Sequence, residues 1–245
     1  MKIKLFFIAS AIVLLSACSQ QIPYDTTKSV IDCQGNTYPV VKIGEQYWMA
    51  ENLKCTKYDT ESEKAGQILT TSETDANAPY YTDGRQTVTG YSDNLTEAQR
   101  EKLGLLYNIA AAGGFTELEA MTKTGGFGTQ RQGICPNGFH LPTTEEWDVL
   151  AEACGGAAIS GKKLKTTTGW YDYDDGTDYY GFAALPAGFA YGSNVYEVGG
   201  IVQFWSSDAD HDDNSYYAYL YYSIDELSIG SNQSGARSVR CIRNN

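Results

Sequence analysis

The sequence predicts an α+β fold with two or three helices and antiparallel β-sheets. Two observations support this prediction, and a third indicates the number of domains. Residues 143–154 carry a helix-start signal followed by apolar residues at helical spacing. The last third of the chain consists of short β-prone runs separated by glycines. No repeat of fixed period is visible over the 245 residues, which favours a single domain.

The beginning of the domain is predicted to be a turn and a β-hairpin. Residues 32–36 (Asp-Cys-Gln-Gly-Asn) are a turn cluster. Residues 37–43 and 46–49 are short apolar runs on either side of Gly44-Glu45, a pattern typical of a hairpin. Residues 56–94 are rich in Thr, Ser, Asp, Gly and Tyr without a period, and they predict a long surface excursion.

Three helical segments are predicted in the middle of the chain. Residues 96–99 (Thr-Glu-Ala-Gln) have the capping-box pattern, and the helix that they start stops at Gly104. Residues 105–112 form a second helical stretch, which Gly113-Gly114 ends. Residues 143–146 (Thr-Thr-Glu-Glu) supply another capping box and place two acidic residues in the first turn, where the helix dipole favours them. The apolar face of this last helix consists of Trp147, Leu150, Ala151 and Cys154.

The rest of the chain predicts strands. From Gly161 onward the signals are glycine turns and β-prone runs. These runs are Ala183–Phe189, Ile201–Ser206, Tyr216–Ile224 and Ser238–Ile242.

Composition excludes one class of function. The chain has 18 Lys+Arg against 30 Asp+Glu, and its formal charge of −12 argues against nucleic-acid binding. Apolar residues make up 42% of the chain, enough for a sizeable core. The 19 tyrosines are many for this length, and tyrosine combines flat apolar area with a polar tip.

The N-terminus predicts export and lipid anchoring. Residues 1–17 have two lysines, an apolar run and small residues, the layout of a signal peptide. The stretch Leu15-Ser16-Ala17-Cys18 resembles the bacterial lipobox, so Cys18 is expected to carry lipid and to attach the protein to the membrane. The alternative is an ordinary secreted protein. Residues 18–31 are polar without a period and are predicted to form a tether.

Several motifs together resemble one family. Residues 135–147 read Cys-Pro-Asn-Gly-Phe-His-Leu-Pro-Thr-Thr-Glu-Glu-Trp. Further matching stretches lie at residues 35–38, 43–54, 104–108, 161–165, 181–188 and 238–241. Over residues 32–243 the chain resembles the Fibrobacter succinogenes major paralogous domain, which implies a domain at 32–245. Such domains are similar to the C-type-lectin-like fold, and residues 141–147 also resemble the formylglycine-generating enzyme branch of it. The resemblance implies a bacterial cell-surface or secreted location, frequently as a lipoprotein.

The cysteines predict two disulfides. Cys135 precedes the helix predicted to start at residue 143, and Cys241 lies in the last predicted strand, so we expect a disulfide between them. Cys33 and Cys55 flank the first hairpin and stand where the family more often has other residues, which suggests a second bridge. Cys154 is left over, and we interpret it as a buried, inert thiol rather than a reactive one.

Catalysis and metal binding have weak support, so we predict no enzyme and no cofactor. The formylglycine-generating enzymes bind copper through a cysteine pair near the end of the chain, whereas here Cys241 has no neighbouring cysteine. His140, before a helix, is expected to be a hydrogen-bonded packing residue rather than a catalytic base. Residues 208–214, which include His211, could ligate calcium through their carboxylates, although a solvated acidic loop is the commoner explanation.

A second acidic run lies at residues 172–180 and mixes Asp, Gly and Tyr. Its spacing does not fit an EF-hand, but such a loop could bind sugar hydroxyls. Paired carboxylates would also suit a glycoside hydrolase, which we keep as the less favoured alternative.

The most informative feature is a tyrosine ladder. By strand alternation Tyr217, Tyr219 and Tyr221 share one face, and residues 216, 218, 220, 222 and 224 share the other, which is predicted to be core. An uncovered ladder would stack on a sugar ring or a flat partner, whereas a covered one would only stabilise the sheet. The predicted ligand-binding residues are Trp205, Asp208, Asp210, Asn214, Tyr217, Tyr219 and Tyr221.

These observations predict a bacterial lipoprotein of the outer membrane, exposed at the cell surface. Its partner would be a glycan or a surface protein, bound without catalysis. The alternative is a structural or accessory component of a surface appendage or of a polysaccharide-handling complex.

Overall fold

The computed structural model describes residues 29–71, 80–82, 88–89, 96–115, 130–173, 175–192, 194–209, 214–232 and 234–244. Within them lie four α-helices: α1 (Glu97–Glu101), α2 (Ile109–Gly113), α3 (Thr144–Ala153) and α4 (Ala157–Leu164). A 3-10 helix spans Tyr171–Tyr173. No helix in these ranges is long and apolar enough to span a membrane.

Fourteen strands are present in the described ranges. They are β1 (Ser29–Ile31), β2 (Thr37–Ile43), β3 (Gln46–Met49), β4 (Tyr81–Thr82), β5 (Val88–Thr89), β6 (Leu106–Asn108), β7 (Phe139–His140), β8 (Phe189–Tyr191), β9 (Asn194–Tyr196), β10 (Ile201–Ala209), β11 (Ser215–Tyr221), β12 (Ser228–Asn232), β13 (Ala236–Arg237) and β14 (Ile242–Arg243). They form three sheets with the orders β1-β2-β3-β14-β7, β10-β11-β12 and β4-β6-β13-β8-β9-β5. Every named strand pair is antiparallel except β5 with β9. The predicted α+β class is therefore confirmed.

The predicted hairpin is β2 and β3, joined by a tight turn in which Gly44 has a positive φ of 59°. The turn before it is closed by Asp32, whose Oδ1 accepts hydrogen bonds from the backbone N–H groups of Gln34 and Asn36. The tether prediction needs one correction. Residues 29–31 are strand β1, because they extend the sheet along β2.

The middle helices differ in part from the prediction. The capping box before α1 is present, since Thr96 Oγ1 accepts from Gln99 N and Gln99 Oε1 accepts from Thr96 N. In the second predicted helix, only the end is helical. Leu106–Asn108 instead form β6, which lies between β4 and β13. Cross-strand hydrogen bonds there outweigh a local helical preference, and α2 begins after Asn108, whose side chain accepts from Ala111 N.

The third predicted helix is α3, with a complete capping box between Thr143 and Glu146. Helix α4 was not predicted, because its flanking and internal glycines read as turn signals. Gly161 lies inside α4 for a packing reason: a side chain there would come within 2.6 Å of the Glu226 carbonyl oxygen. The close contact with the chain after β11 therefore requires a glycine at position 161.

The late β-prone runs are only partly strands. Residues 201–206 and 216–221 lie in β10 and β11 as predicted. Residues 183–187 are irregular, and Ala183 has a φ of 53°, which no strand residue adopts. In the last run, strand β14 begins at Ile242 and residues 239–241 are outside any strand.

An aromatic cluster fills the space between α3 and the sheets. Trp147 of α3 lies 4.6 Å from Trp48 of β3 and 5.6 Å from Phe204 of β10, measured between ring centroids. Phe182 completes the cluster, 5.9 Å from Trp48. All four side chains are fully buried, so the apolar face of α3 is the main contact between helix and sheets.

The first predicted disulfide is present and the second is not. Cys135 and Cys241 are bonded and join positions 106 residues apart. Cys33 and Cys55 are free thiols with their sulfurs 4.0 Å apart. Both sulfurs have the Lys57 carbonyl oxygen as a hydrogen-bond acceptor, so each thiol is satisfied without a bond between them. Cys154 is buried, and burial raises its pKa to about 12, as expected for an inert thiol.

His140 is a hydrogen-bonded packing residue. It is 2% exposed, with Nδ1 at 2.7 Å from Asn244 Oδ1 and Nε2 at 2.9 Å from Glu146 Oε1. Burial raises the pKa of Glu146, but the hydrogen bonds from His140 and Thr143 outweigh it and lower that pKa overall.

The lowered pKa of Glu146 leads to a prediction about acid stability. A carboxyl with a lowered folded-state pKa stabilises the fold above its unfolded pKa, and this contribution disappears as pH falls through the folded-state value. We expect Glu146→Gln to lower the free energy of unfolding by about 1 kcal/mol at pH 7 and by nearly nothing at pH 3. Urea unfolding at both pH values measures this.

The matched control for this prediction is Glu145→Gln. Glu145 lies in the same turn but is exposed. Glutamine also fits a capping box, so the first variant removes the charge and keeps the cap. An equal loss in the two variants, or a loss that persists at pH 3, would contradict the role given to Glu146.

Candidate functional site

The predicted tyrosine ladder lies on the three-stranded sheet. We call Tyr217, Tyr219 and Tyr221 of β11 the tyrosine face. In the antiparallel register with β10, Tyr217 is opposite Trp205 and Tyr219 is opposite Gln203. Residues directly opposite each other have their side chains on the same side of a sheet, so these five side chains share one side.

Tyr217 and Trp205 serve the structure rather than a ligand. The Arg237 guanidinium lies 4.1 Å from the ring centroid of Trp205 and 4.1 Å from that of Tyr217. On β12, a side chain at Gly230 would come within 2.7 Å of the Tyr217 ring. Trp205 is fully buried and its Nε1 donates to the Tyr107 carbonyl oxygen at 2.7 Å. The prediction of Trp205 as a ligand contact is therefore corrected.

Tyr219 and Tyr221 remain half-buried, with part of each side chain open to solvent. Tyr219 lies beside Tyr217, with ring centroids 6.0 Å apart. Tyr221 contacts Tyr222, with centroids 4.8 Å apart. Tyr217 is half-buried as well, but Arg237 lies over its ring, so Tyr219 and Tyr221 are the members of the tyrosine face that Arg237 leaves open.

Gln203 is a feature that the sequence did not point to. It is 8% exposed, and its Oε1 has no hydrogen-bond partner in the part of the chain that the structure describes. A buried amide oxygen without a partner costs free energy, and such groups are rare in folded proteins. It lies on the same side of the sheet as the tyrosine face, opposite Tyr219, but the oxygen itself is buried.

The opposite side of β11 is core at two positions. Ala218 and Leu220 are fully buried, as predicted. Tyr216 and Tyr222 are half-buried, and Ile224, beyond the end of β11, is 44% exposed. The predicted core assignment is therefore wrong for Ile224, because the strand ends at Tyr221 and the alternation ends with it.

Of the predicted polar residues beside the ladder, the structure describes Asp208 and Asn214. Asp208 belongs to β10, and its carboxylate accepts from the Thr144 backbone N–H at 3.1 Å and also from the Thr144 hydroxyl. It therefore fixes the start of α3. Asn214 directly precedes β11 and is half-buried.

Calcium binding stays a prediction. Asp210 and His211 lie outside the described residues, as do residues 212–213. Within the described ranges, no three His, Cys, Asp or Glu side chains are grouped so that they could hold a metal ion.

The fold and the site together define an α+β domain closed by the Cys135–Cys241 disulfide, with an aromatic face on a three-stranded sheet. The chain belongs to the family of the Fibrobacter succinogenes major domain, whose sequence profile matches residues 41–243. The resemblance read from the motifs is confirmed. No curated protein and no solved structure matches the chain.

Proposed function

We propose that this protein is a lipoprotein of the bacterial outer membrane, anchored at Cys18, that recognises a glycan or a surface protein without catalysis. The contact surface is the tyrosine face, with Tyr219 and Tyr221 as the accessible residues. We further propose that its fold is related to the C-type-lectin-like fold. The observation that carries the site assignment is that Tyr217, Tyr219 and Tyr221 of β11 share one side of the sheet and are only half-buried.

The chemistry of the face supports recognition. A tyrosine ring offers apolar area for the C–H side of a sugar or for a flat protein surface, and its hydroxyl forms hydrogen bonds. The Arg237 side chain packs against the rings of Trp205 and Tyr217 and makes this part of the sheet rigid. A rigid surface beside Tyr219 and Tyr221 reduces the entropic cost of binding.

The test uses a mature domain starting at residue 19 on a glycan array and in pull-downs from cell envelopes. We expect Tyr219→Ala/Tyr221→Ala to weaken binding at least tenfold, since tyrosine is enriched among interface residues whose truncation costs about 2 kcal/mol or more. The matched control is Tyr191→Ala, which removes a 60% exposed tyrosine from β8, in another sheet.

Two outcomes decide between the candidates. Binding of purified glycans that the double variant loses supports glycan recognition. A stable envelope protein complex lost only in the double variant supports a protein partner and an assembly role. Equal binding by the wild type, the control and the double variant would sink the site assignment.

A further inference from the structure

A cleft of about 420 Å³ shares no residue with the tyrosine face. Its polar lining comes from three parts of the chain. The segment after the hairpin contributes Glu51, helix α1 contributes Gln99 and the chain just after it Lys102, and the segments after α4 contribute residues 166–168 and Asp178. A volume of this size is within the range of sites for small molecules.

Two carboxylates face the cleft. Glu51 Oε1 lies 2.9 Å from Lys102 Nζ. Asp178 is half-buried, and its Oδ1 accepts from the Ala183 backbone N–H at 2.8 Å. Burial raises the pKa of Asp178, and the hydrogen bond and the nearby Arg240 partly offset this effect.

The segment with Asp178 and Ala183 forms one side of the cleft. Its backbone is strained, and hydrogen bonds from Arg240 hold it in place. Asp178 and Ala183 have φ values of 44° and 53°, conformations that cost free energy for residues with a side chain. The fully buried Arg240 donates to the Phe182 carbonyl oxygen and, at 3.4 Å, to that of Ala183. Its Nε donates to Asn52 Oδ1 at 3.1 Å. Strain that the surroundings fix in this way concentrates at ligand sites, because it gives a rigid and prearranged surface.

The remaining polar groups in the cleft both donate and accept. Gln99 Nε2 donates to Thr168 Oγ1 at 2.8 Å, which joins α1 to the threonine segment. Thr166 Oγ1 donates to the Thr168 carbonyl oxygen at 2.9 Å. Carboxylates accept, Lys102 donates, and threonine hydroxyls do both.

This mixture selects among ligands by charge. The carboxylates of Glu51 and Asp178 would repel an anion. Lys102 would repel a cation, and so would Arg240, which is buried behind the segment that carries Asp178 and Ala183. A neutral molecule with many hydroxyls matches the groups present, because each hydroxyl donates to a carboxylate and accepts from an ammonium or amide group. Apolar contact for the C–H groups of such a ligand comes from Pro39, Ala50, Ala183 and Leu185.

We infer that this cleft is a binding site for a neutral sugar of one or two rings, separate from the tyrosine face. Glu51 and Asp178 bind its hydroxyl hydrogens and Lys102 binds a hydroxyl oxygen. The sugar is held and not cleaved.

The experiment is saturation-transfer NMR and titration calorimetry on the mature chain. The probes are glucose, galactose, mannose, N-acetylglucosamine and their disaccharides, with glucuronate and glucosamine as charged counterparts. We expect binding of at least one neutral probe, weakened at least tenfold by Asp178→Asn and by Glu51→Gln. The amide oxygen introduced by Asp178→Asn still accepts from the Ala183 N–H, and Glu51→Gln changes a group at the rim, so either variant tests the site if the other does not fold.

The matched control is Glu45→Gln. Glu45 is also paired with a lysine, Lys42, at 3.0 Å, but it is exposed and outside the cleft. Binding that falls in the cleft variants and not in the control supports the inference, as does binding retained by Tyr219→Ala/Tyr221→Ala. No binding of any neutral probe, tighter binding of a charged probe, or cleavage of a disaccharide would overturn it, and none of these results bears on the tyrosine face.

Discussion

Replacing Cys135 and Cys241 together with alanine is expected to lower the free energy of unfolding by about 4–5 kcal/mol in the chain-entropy description of a bridge of this span. The bridge joins positions 106 residues apart, so its loss gives the unfolded chain much more freedom. Both cysteines are fully buried, and their removal adds a small packing loss. Urea unfolding of the wild type and the double variant measures the difference.

The control is Cys33→Ser, which changes an exposed thiol near the hairpin. We expect its unfolding midpoint to match the wild type within error. Dithiothreitol should destabilise the wild type and the control alike and leave the double variant unchanged. A double variant with wild-type stability would show that the bridge does not limit the unfolded chain.

Replacing Trp147 with alanine is expected to lower the free energy of unfolding by about 3–5 kcal/mol. The ring is fully buried against Trp48, Phe182 and Phe204, so its removal leaves a cavity in the contact between α3 and the sheets. Chemical unfolding followed by near-ultraviolet circular dichroism measures both the stability and the aromatic packing.

Phenylalanine variants of two buried tryptophans separate packing from hydrogen bonding. Trp147 Nε1 has no hydrogen-bond partner among the described residues, whereas Trp205 Nε1 donates to the Tyr107 carbonyl oxygen. Trp147→Phe should therefore cost less than Trp205→Phe, because only the second leaves a buried carbonyl oxygen without its donor. The reverse order would contradict this account of the core.

The elements that the sequence predicted well are those with local causes. The β2–β3 hairpin depends on one turn residue with positive φ, and α3 depends on its own cap and apolar spacing. Strand β6 and helix α4 were missed for one shared reason. Each contacts a segment far along the chain: β6 pairs with Ala236 and Arg237, and α4 forms hydrogen bonds with Asp225 and Leu227.

The site was predictable to a smaller extent. Alternation placed Tyr217, Tyr219 and Tyr221 on one face, and the strand register agrees with that placement. It could not predict that Arg237 would cover Tyr217, or that Asp208 would cap α3. The acidic run that contains Asp178 was noticed, but its position across a cleft from Glu51 was not.

The sequence by itself determined the α+β class, the family and the Cys135–Cys241 disulfide. It also determined which residues lie on the same face of a strand or helix. These depend on spacing within a few residues or on motifs that can be read in order. Only the tertiary structure decided which polar side chains are used inside the fold and which face solvent. The reason is physical: burial and hydrogen-bond partners come from contacts between distant segments, and one-dimensional spacing does not contain them.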